Sequence, residues 1–371
     1  MRKMPSHKPN FYGQALACLL MALAASCSRS PKMQTFTISN VKPRSDTAGQ
    51  IIDAHGGCMQ FFNGHFYLYG NAFGTNRGDF QFDCPFAVYS SSNMVNWTRE
   101  GTLIKNPPHG VYYRPYVIFN ATTKKYVLWY NWYQTLWNGQ AGVAVSDSPT
   151  GPFEIVNPKA HLSGSSPGDG SLFVDDDGTA YYVYTDITND YALRVERLTT
   201  NYLDSSGEAS SFVGYGVEAP VLFRRNDLYY LFCGTLCADC PQGSQVSVDI
   251  SYSPMGPYHL SGEINDYASS NSMQARVYAA PPADQTNSEG YLHPPKSPPF
   301  IRGQETWVAH LPTGSGTPQF IWMADGWRSA KDGLRGHDFQ YWSAPLKFNS
   351  DGSVEPLKFS PSWTITWMQA Q

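Results

Sequence analysis

The chain has 371 residues, 15% of them aromatic and only 15% charged, with 32 glycines, 27 prolines and a net charge of −4. Without a run of Lys or Arg this balance excludes a nucleic-acid partner, because phosphate binding needs clustered cations. Turn-rich, aromatic-rich sequence with no helical periodicity past residue 30 predicts one large all-β domain, and no later segment is apolar enough to span a membrane.

In chain order, Arg2, Lys3 and Lys8 precede the apolar stretch Ala15-LACLLMALAAS, which closes on small residues before Cys27. Residues 1–27 are expected to be a secretory signal peptide and are left out of the fold. Leu23-AASC resembles a lipobox, in which Cys27 would carry a lipid and be the sole membrane attachment; ordinary cleavage is the other reading. Either way the mature protein is expected outside the cytoplasm, secreted or at the cell surface or periplasm. Export favours disulfides over metal thiolates, with Cys58–Cys84 one candidate pair. The run Cys233-GTLCADC has metal-like spacing but no second Cys or His pair to complete a zinc site, so a local disulfide is the better reading. Asn96 and Asn120 each head an Asn-x-Thr sequon.

From residue 34 to 371 a paired-strand unit recurs five times. First strands read Cys58-MQFF, Tyr116-VIF, Ser171-LFV, Pro220-VLF and Thr306-WVAHL. Each is followed across a polar turn by a second: His65-FYLY, Lys125-YVLWY, Thr179-AYYVY, Leu228-YYLF and Gln319-FIWM. Third strands begin at Phe86, Ala141, Leu193, Val246 and Tyr341. The turns carry Asn-Gly, Lys-Lys, Asp-Gly and Asn-Asp, which are hairpin signals. Spacings of roughly 50 to 60 residues, with about 90 before the last unit, fit four-stranded propeller blades and one long insertion. The predicted fold is an all-β, five-bladed β-propeller.

In a propeller the first strand of each blade lines the central channel, so the residues at the heads of those strands converge. Those heads read Ile52-DAHGG, Val111-YYRP, Pro167-GDGS, Gly216-VEAP and Ile301-RGQET. They offer Asp53 and His55, Tyr113 and Arg114, Asp169, Glu218 and Gln304. Polar groups at all five convergent positions would be costly to bury without a purpose, so a site is expected at the axis. Isolated carboxylates in an aromatic-rich pocket suit glycoside hydrolysis, in which one acid protonates the leaving oxygen while another group directs water. Glu218, between Val217 and Ala219-Pro220, is the candidate acid because an apolar setting favours its protonated form. Asp169 is the candidate for orienting or tuning it.

Each residue also has a plainer reading. Asp169 between glycines is equally a turn former, Arg114 a loop brace, and His55 a satisfied structural histidine. Asp175, Asp176 and Asp177 read as a solvated hairpin turn. Trp132, Tyr133 and Trp137 read as sugar-stacking rings or as blade packing.

With these positions identified, the chain resembles glycoside hydrolase family 43, and within it the exo-β-1,3-galactanase branch, over residues 48 to 367. The matching segments are Ala54-HGGCMQFFNGHFYLYG, Arg114-PYVIFNATTKKYVLWY, Ser146-DSPTGPF, Asp169-GSLFVDDDGTAYYVYT, Glu218-APVLFRRNDLYYL and Met323-ADGW. The resemblance implies an inverting mechanism with Glu218 as general acid and Asp169 as its modulator. Most of the family has an Asp base on blade one, where this chain has Ala54-His55-Gly56, as the galactanase branch does. In that branch a blade-five Gln directs the water, and Gly303-Gln304-Glu305-Thr306 matches it; Asp53 is a rival base. The acid and the water-directing group are then expected roughly 6.5 to 9.5 Å apart. His55, Asp53, Tyr113 and Arg114 are expected to bind substrate. One departure is clear: the branch carries Glu directly before the blade-two Arg-Pro, and this chain has Tyr113. The resemblance thus implies a glycosidase acting on oligo- or polysaccharide, with galactan first. A β-xylosidase or α-L-arabinofuranosidase, and a sugar-binding pseudoenzyme, are the alternatives. No cofactor or metal is expected, because proton transfer and water attack suffice, and a monomer is expected.

Overall fold

The computed structural model describes residues 33–78, 80–235, 244–265, 301–311 and 318–368. The signal segment with Cys27, and Cys237 and Cys240, lie outside them. The expected architecture is present. Strand β1 (Met33–Ser39) pairs antiparallel with β21 (Ser362–Met368), so the two ends of the domain are joined. Blade one is β2 (Met59–Phe62), β3 (His65–Asn71), β4 (Phe86–Ser91) and β5 (Thr98–Thr102). Blade two is β6 (Val111–Asn120), β7 (Lys125–Tyr133), β8 (Gly139–Ser146) and β9 (Glu154–Asn157). Blade three is β10 (Pro167–Val174), β11 (Ala180–Asp186), β12 (Ala192–Leu198) and β13 (Ser205–Ala209). Blade four is β14 (Val217–Arg225), β15 (Leu228–Thr235), β16 (Val246–Ser251) and β17 (His259–Asn265). Blade five is β18 (Gln304–Leu311), β19 (Gln319–Gly326) and β20 (Phe339–Trp342). Within each sheet the strands pair in chain order.

Aromatic side chains fill the space between sheets, and Trp97, Trp129, Trp322 and Trp342 are fully buried. Burying that much ring surface is the main favourable contribution to a fold built of short strands. The junctions between blades are polar and specific. Three buried asparagines each donate from Nδ2 to a carbonyl at the start of the next blade: Asn71 to Tyr112 at 2.6 Å, Asn131 to Pro167 at 2.8 Å and Asn265 to Ile301 at 2.9 Å. Ring closure uses a fourth, as Asn40 donates to Trp342 O at 2.8 Å and accepts from Trp342 N at 3.1 Å.

Four of the five innermost strands are interrupted where they enter the channel. The ladder shifts between Tyr113 and Tyr116 in β6, Pro167 and Gly170 in β10, Glu218 and Val221 in β14, and Glu305 and Trp307 in β18. A bulge turns side chains that would follow the pleat toward another direction. Arg114 and Ala219, each just before a proline, both have φ of 54° in the left-handed region. That conformation is uncommon for residues with a Cβ, and its recurrence in blades two and four marks one device used twice.

One local expectation is corrected. Cys58 and Cys84 are buried free thiols, each pushed up to about 12 by burial, and not a disulfide. Asn120 is not an open sequon, being 1% exposed with Oδ1 accepting from the amides of Thr122 and Thr123. The aspartate turn is solvated as expected at Asp176, which is 91% exposed though 3.2 Å from Arg224, whereas Asp175 is only 10% exposed and pairs with Arg224 at 3.0 Å.

If the asparagine clamps hold the ring, Asn131→Ala strands the Pro167 carbonyl and the variant should lose about 1–3 kcal/mol. Urea or thermal unfolding measures this, and an unchanged midpoint would show that the clamp does not contribute.

Candidate active site

The bulged strand heads bring Tyr113, Arg114, Asp169, Glu218 and Gln304 to one cavity, together with His55. Its volume is about 820 Å³ counted out to open solvent, within the range of small-molecule sites.

Arg114 is carried inward on β6 and is 4% exposed. A guanidinium there needs acceptors, and it has two: Asp169 Oδ2 at 2.5 Å and the Glu305 carbonyl at 3.0 Å. Asp169 therefore meets the cavity with Oδ2 engaged, which fixes the carboxylate plane. Burial opposes the charge on Arg114, but Asp169 outweighs it and the guanidinium is held above its ordinary range.

Glu218 on β14 is half-buried, and its Oε2 accepts from Gln304 Nε2 at 3.3 Å. The Gln304 amide is oriented from behind: Trp327 Nε1 donates to its Oε1 at 2.9 Å. An indole N–H only donates, so the oxygen must face Trp327 and the NH₂ must face Glu218. This contact corrects one expectation. Gln304 is a hydrogen-bonded neighbour of the acid, not a group standing 6.5 to 9.5 Å across from it.

His55 precedes β2 in a stretch that crosses β3 at very short range. A Cβ on Gly57 would lie 2.1 Å from Tyr69 O, and one on Gly70 would lie 2.1 Å from the Ala54 carbonyl carbon. The two glycines are what let His55 reach the axis. Its Nδ1 lies 3.2 Å from Asp325 Oδ1, while Asp325 Oδ2 accepts from Gly56 N at 2.5 Å. Nε2 has no hydrogen-bond partner among the described residues. Burial works against the charged ring, but Asp325, then Asp53 and Asp338, outweigh it and raise the imidazole to about 9.

Asp53 is not brought into the cavity. Its Oδ1 accepts from Phe73 N at 2.9 Å and its Oδ2 from Gly74 N at 2.7 Å, so both oxygens hold a loop. It stands 3.7 Å behind His55 Nε2 and cannot be the rival base. Tyr113 does line the cavity, edge-on to Tyr133 at 6.1 Å.

Residues not anticipated complete the site. Trp327 and Arg335 come from the segment after β19, away from any strand head, and Tyr191 comes from the turn before β12. Arg335 is buried, pairs with Asp338 at 3.1 Å, and lies 4.9 Å from the Trp327 ring. Met323-ADGW marked Asp325 and Trp327 as a motif but not as site residues; Arg335 carried no signal. Glu305, next to Gln304, points away into the core, where burial holds its carboxyl well above the usual range.

Two carboxylates at the axis of a ring-walled propeller channel are the build of a carbohydrate site. The chain belongs to the glycosyl hydrolases family 43, whose family model matches residues 59–280. Among curated relatives it is 28% identical over 241 residues to an arabinoxylan arabinofuranohydrolase of Paenibacillus polymyxa, covering 54% of this chain and 37% of that protein. It is 27% identical over 303 residues to the enzyme of that name from Bacillus subtilis (strain 168), covering 66% and 57%. The chain thus spans well under two thirds of these relatives' length. A solved exo-β-1,3-galactanase from Clostridium thermocellum matches at 25% identity with a TM-score of 0.69, over 88% of this chain and 66% of that one.

The His55 environment predicts a pH effect on stability. Its folded value near 9 lies above the ordinary 6.5, so the charged form is favoured on folding. That contribution is complete below pH 6.5 or so and is lost as pH rises through about 9. Comparing urea unfolding of wild type and His55→Gln across this window should show their difference shrinking as pH rises; a constant difference contradicts the assignment.

Proposed function

We propose that the protein is an exported, inverting glycosidase of the family 43 type that removes terminal sugars from plant or algal polysaccharide, with β-galactosyl linkages first. Glu218 protonates the leaving oxygen. Asp169, locked by Arg114, supplies negative charge beside the sugar ring as positive charge develops on it. Gln304, held between Trp327 and Glu218, is the candidate to orient the water. The observation that carries this reading is the Glu218–Gln304–Trp327 chain sharing one cavity with the Asp169–Arg114 pair. Export rests on the sequence of residues 1–27, and lipid attachment at Cys27 on Leu23-AASC. The galactanase-like structure supports the galactosyl reading, and the two curated relatives support α-L-arabinofuranosides as the next substrate to try.

A second reading has its own support. Tyr113 occupies on β6 the bulge position that Glu218 occupies on β14, and blades one and two give the cavity no carboxylate among the described residues. A pocket built so could hold a sugar without cutting it.

One panel separates the readings: β-1,3-galactobiose, aryl β-xyloside and aryl α-L-arabinofuranoside, assayed for binding and for released sugar. Turnover is expected on one of them, and Glu218→Gln should lower it by about 10²–10⁴-fold with the fold intact. Proton NMR of the first-formed product should show the inverted anomer. Binding without release across the panel selects the second reading, and a retained anomer overturns the mechanism.

A further inference from the structure

From its charged floor the cavity rises along a row of aromatic rings supplied by blades one and two. Tyr113 meets Tyr133 at 6.1 Å, Tyr133 meets Trp137 at 6.3 Å, and Trp137 meets Phe80 edge-on at 5.5 Å. All four line the cavity that holds Glu218 and Asp169. Tyr133 is only 6% exposed, whereas Trp137 and Phe80 beyond it are 52% and 39% exposed. Half-exposed tryptophan forgoes the burial that normally stabilises so large a ring.

Nothing about the Trp137 backbone is relaxed. Its φ is 68°, a strained value for a bulky side chain. The loop is nevertheless tied down: Ser166 Oγ donates to Trp137 O at 3.1 Å and accepts from Gly139 N at 3.0 Å, and Asn138 N donates to Thr135 O at 3.0 Å. Strain held in place by several bonds presents the indole at the rim instead of folding it away. Tyr133, buried beneath, serves as packing, so the two rings divide the roles that the sequence left open.

We propose that Trp137, braced edge-on by Phe80, is the docking surface for the sugar that follows the cleaved one, on the leaving-group side. This deepens the glycosidase reading above and rests on it. Trp327 and Arg335, 6% and 4% exposed, also line the cavity as buried wall. From a terminal sugar seated over Asp169 and Glu218, the half-exposed rings of the row offer the path outward. The apolar face of a pyranose, with its C–H groups in a plane, matches an exposed indole face, and stacking of this kind tolerates different sugars. The occupant is a pyranose unit of an oligosaccharide chain, and the effect is a preference for chains over simple glycosides.

The test is titration calorimetry on the full chain carrying Glu218→Gln, alone and combined with Trp137→Ala or Trp137→Phe. The ligands are galactose and β-1,3-galactotriose, then xylose with β-1,4-xylotriose, and arabinose with the trisaccharide α-L-arabinofuranosyl-β-1,4-xylobiose. For the pair that binds, Trp137→Ala should weaken the trisaccharide by about tenfold, Trp137→Phe should restore most of it, and the monosaccharide should change by less than about twofold. Trisaccharide affinity indifferent to Trp137, or equal loss for both ligands, overturns this inference while leaving the glycosidase reading standing. Failure of all three pairs to bind overturns both.

Discussion

A guanidinium carried to the floor of a propeller channel has given up nearly all its water, and an unpaired charge there would cost several kcal/mol. Arg114 meets that demand with one carboxylate from blade three and one carbonyl from blade five. The neighbouring Tyr116 hydroxyl reaches Thr306 O across the same junction at 2.5 Å. The bonds to Glu305 O and Thr306 O join blades two and five, which are not neighbours in the ring, so the floor is a cross-braced plate and not five independent strand ends. A buried pair of this kind is weak evidence for stability but strong evidence for fixed geometry. What it fixes is Asp169, which would otherwise turn freely between two glycines.

The rest of the floor follows from how strands leave the pleat. Tyr113-Arg-Pro and Glu218-Ala-Pro share a ladder shift and a left-handed residue before proline. Proline cannot donate to the ladder and narrows the choices of the residue before it, so each sequence ends regular pairing at the channel mouth. The same backbone device thus delivers a phenol in blade two and a carboxylate in blade four. One side of the cavity becomes aromatic and the other charged, and that asymmetry continues outward into the row ending at Trp137.

Much of this was legible in sequence, and for a definite reason. Hairpin periodicity located the innermost strands, and a residue at the head of such a strand can hardly avoid the axis; Arg114, Asp169, Glu218 and Gln304 were found that way. Asp53 fails because the chain from Asp53 to Gly57 is irregular and turns the carboxylate onto the Phe73–Gly74 amides. Trp327 and Arg335 were hidden because they enter from the long segment after β19, and no periodicity projects a loop onto an axis. Cys58 and Cys84 looked like a pair by compartment alone, yet each is packed as a small apolar side chain.

The floor also constrains how water can be directed. Glu218 belongs to blade four, and both of its polar companions, Asp169 and Gln304, come from the adjacent blades three and five. Opposite lie blades one and two, which contribute His55, Arg114, Tyr113 and the aromatic row, with no carboxylate among the described residues. Gln304 can orient a water but cannot take its proton, since a neutral amide is no base near neutral pH. In the proposed reaction the barrier is then lowered mainly by protonating the leaving oxygen and by negative charge beside the sugar ring. Such a site depends on how rigidly Glu218 and Asp169 are held, which is what the Trp327–Gln304 bond and the buried Arg114 provide.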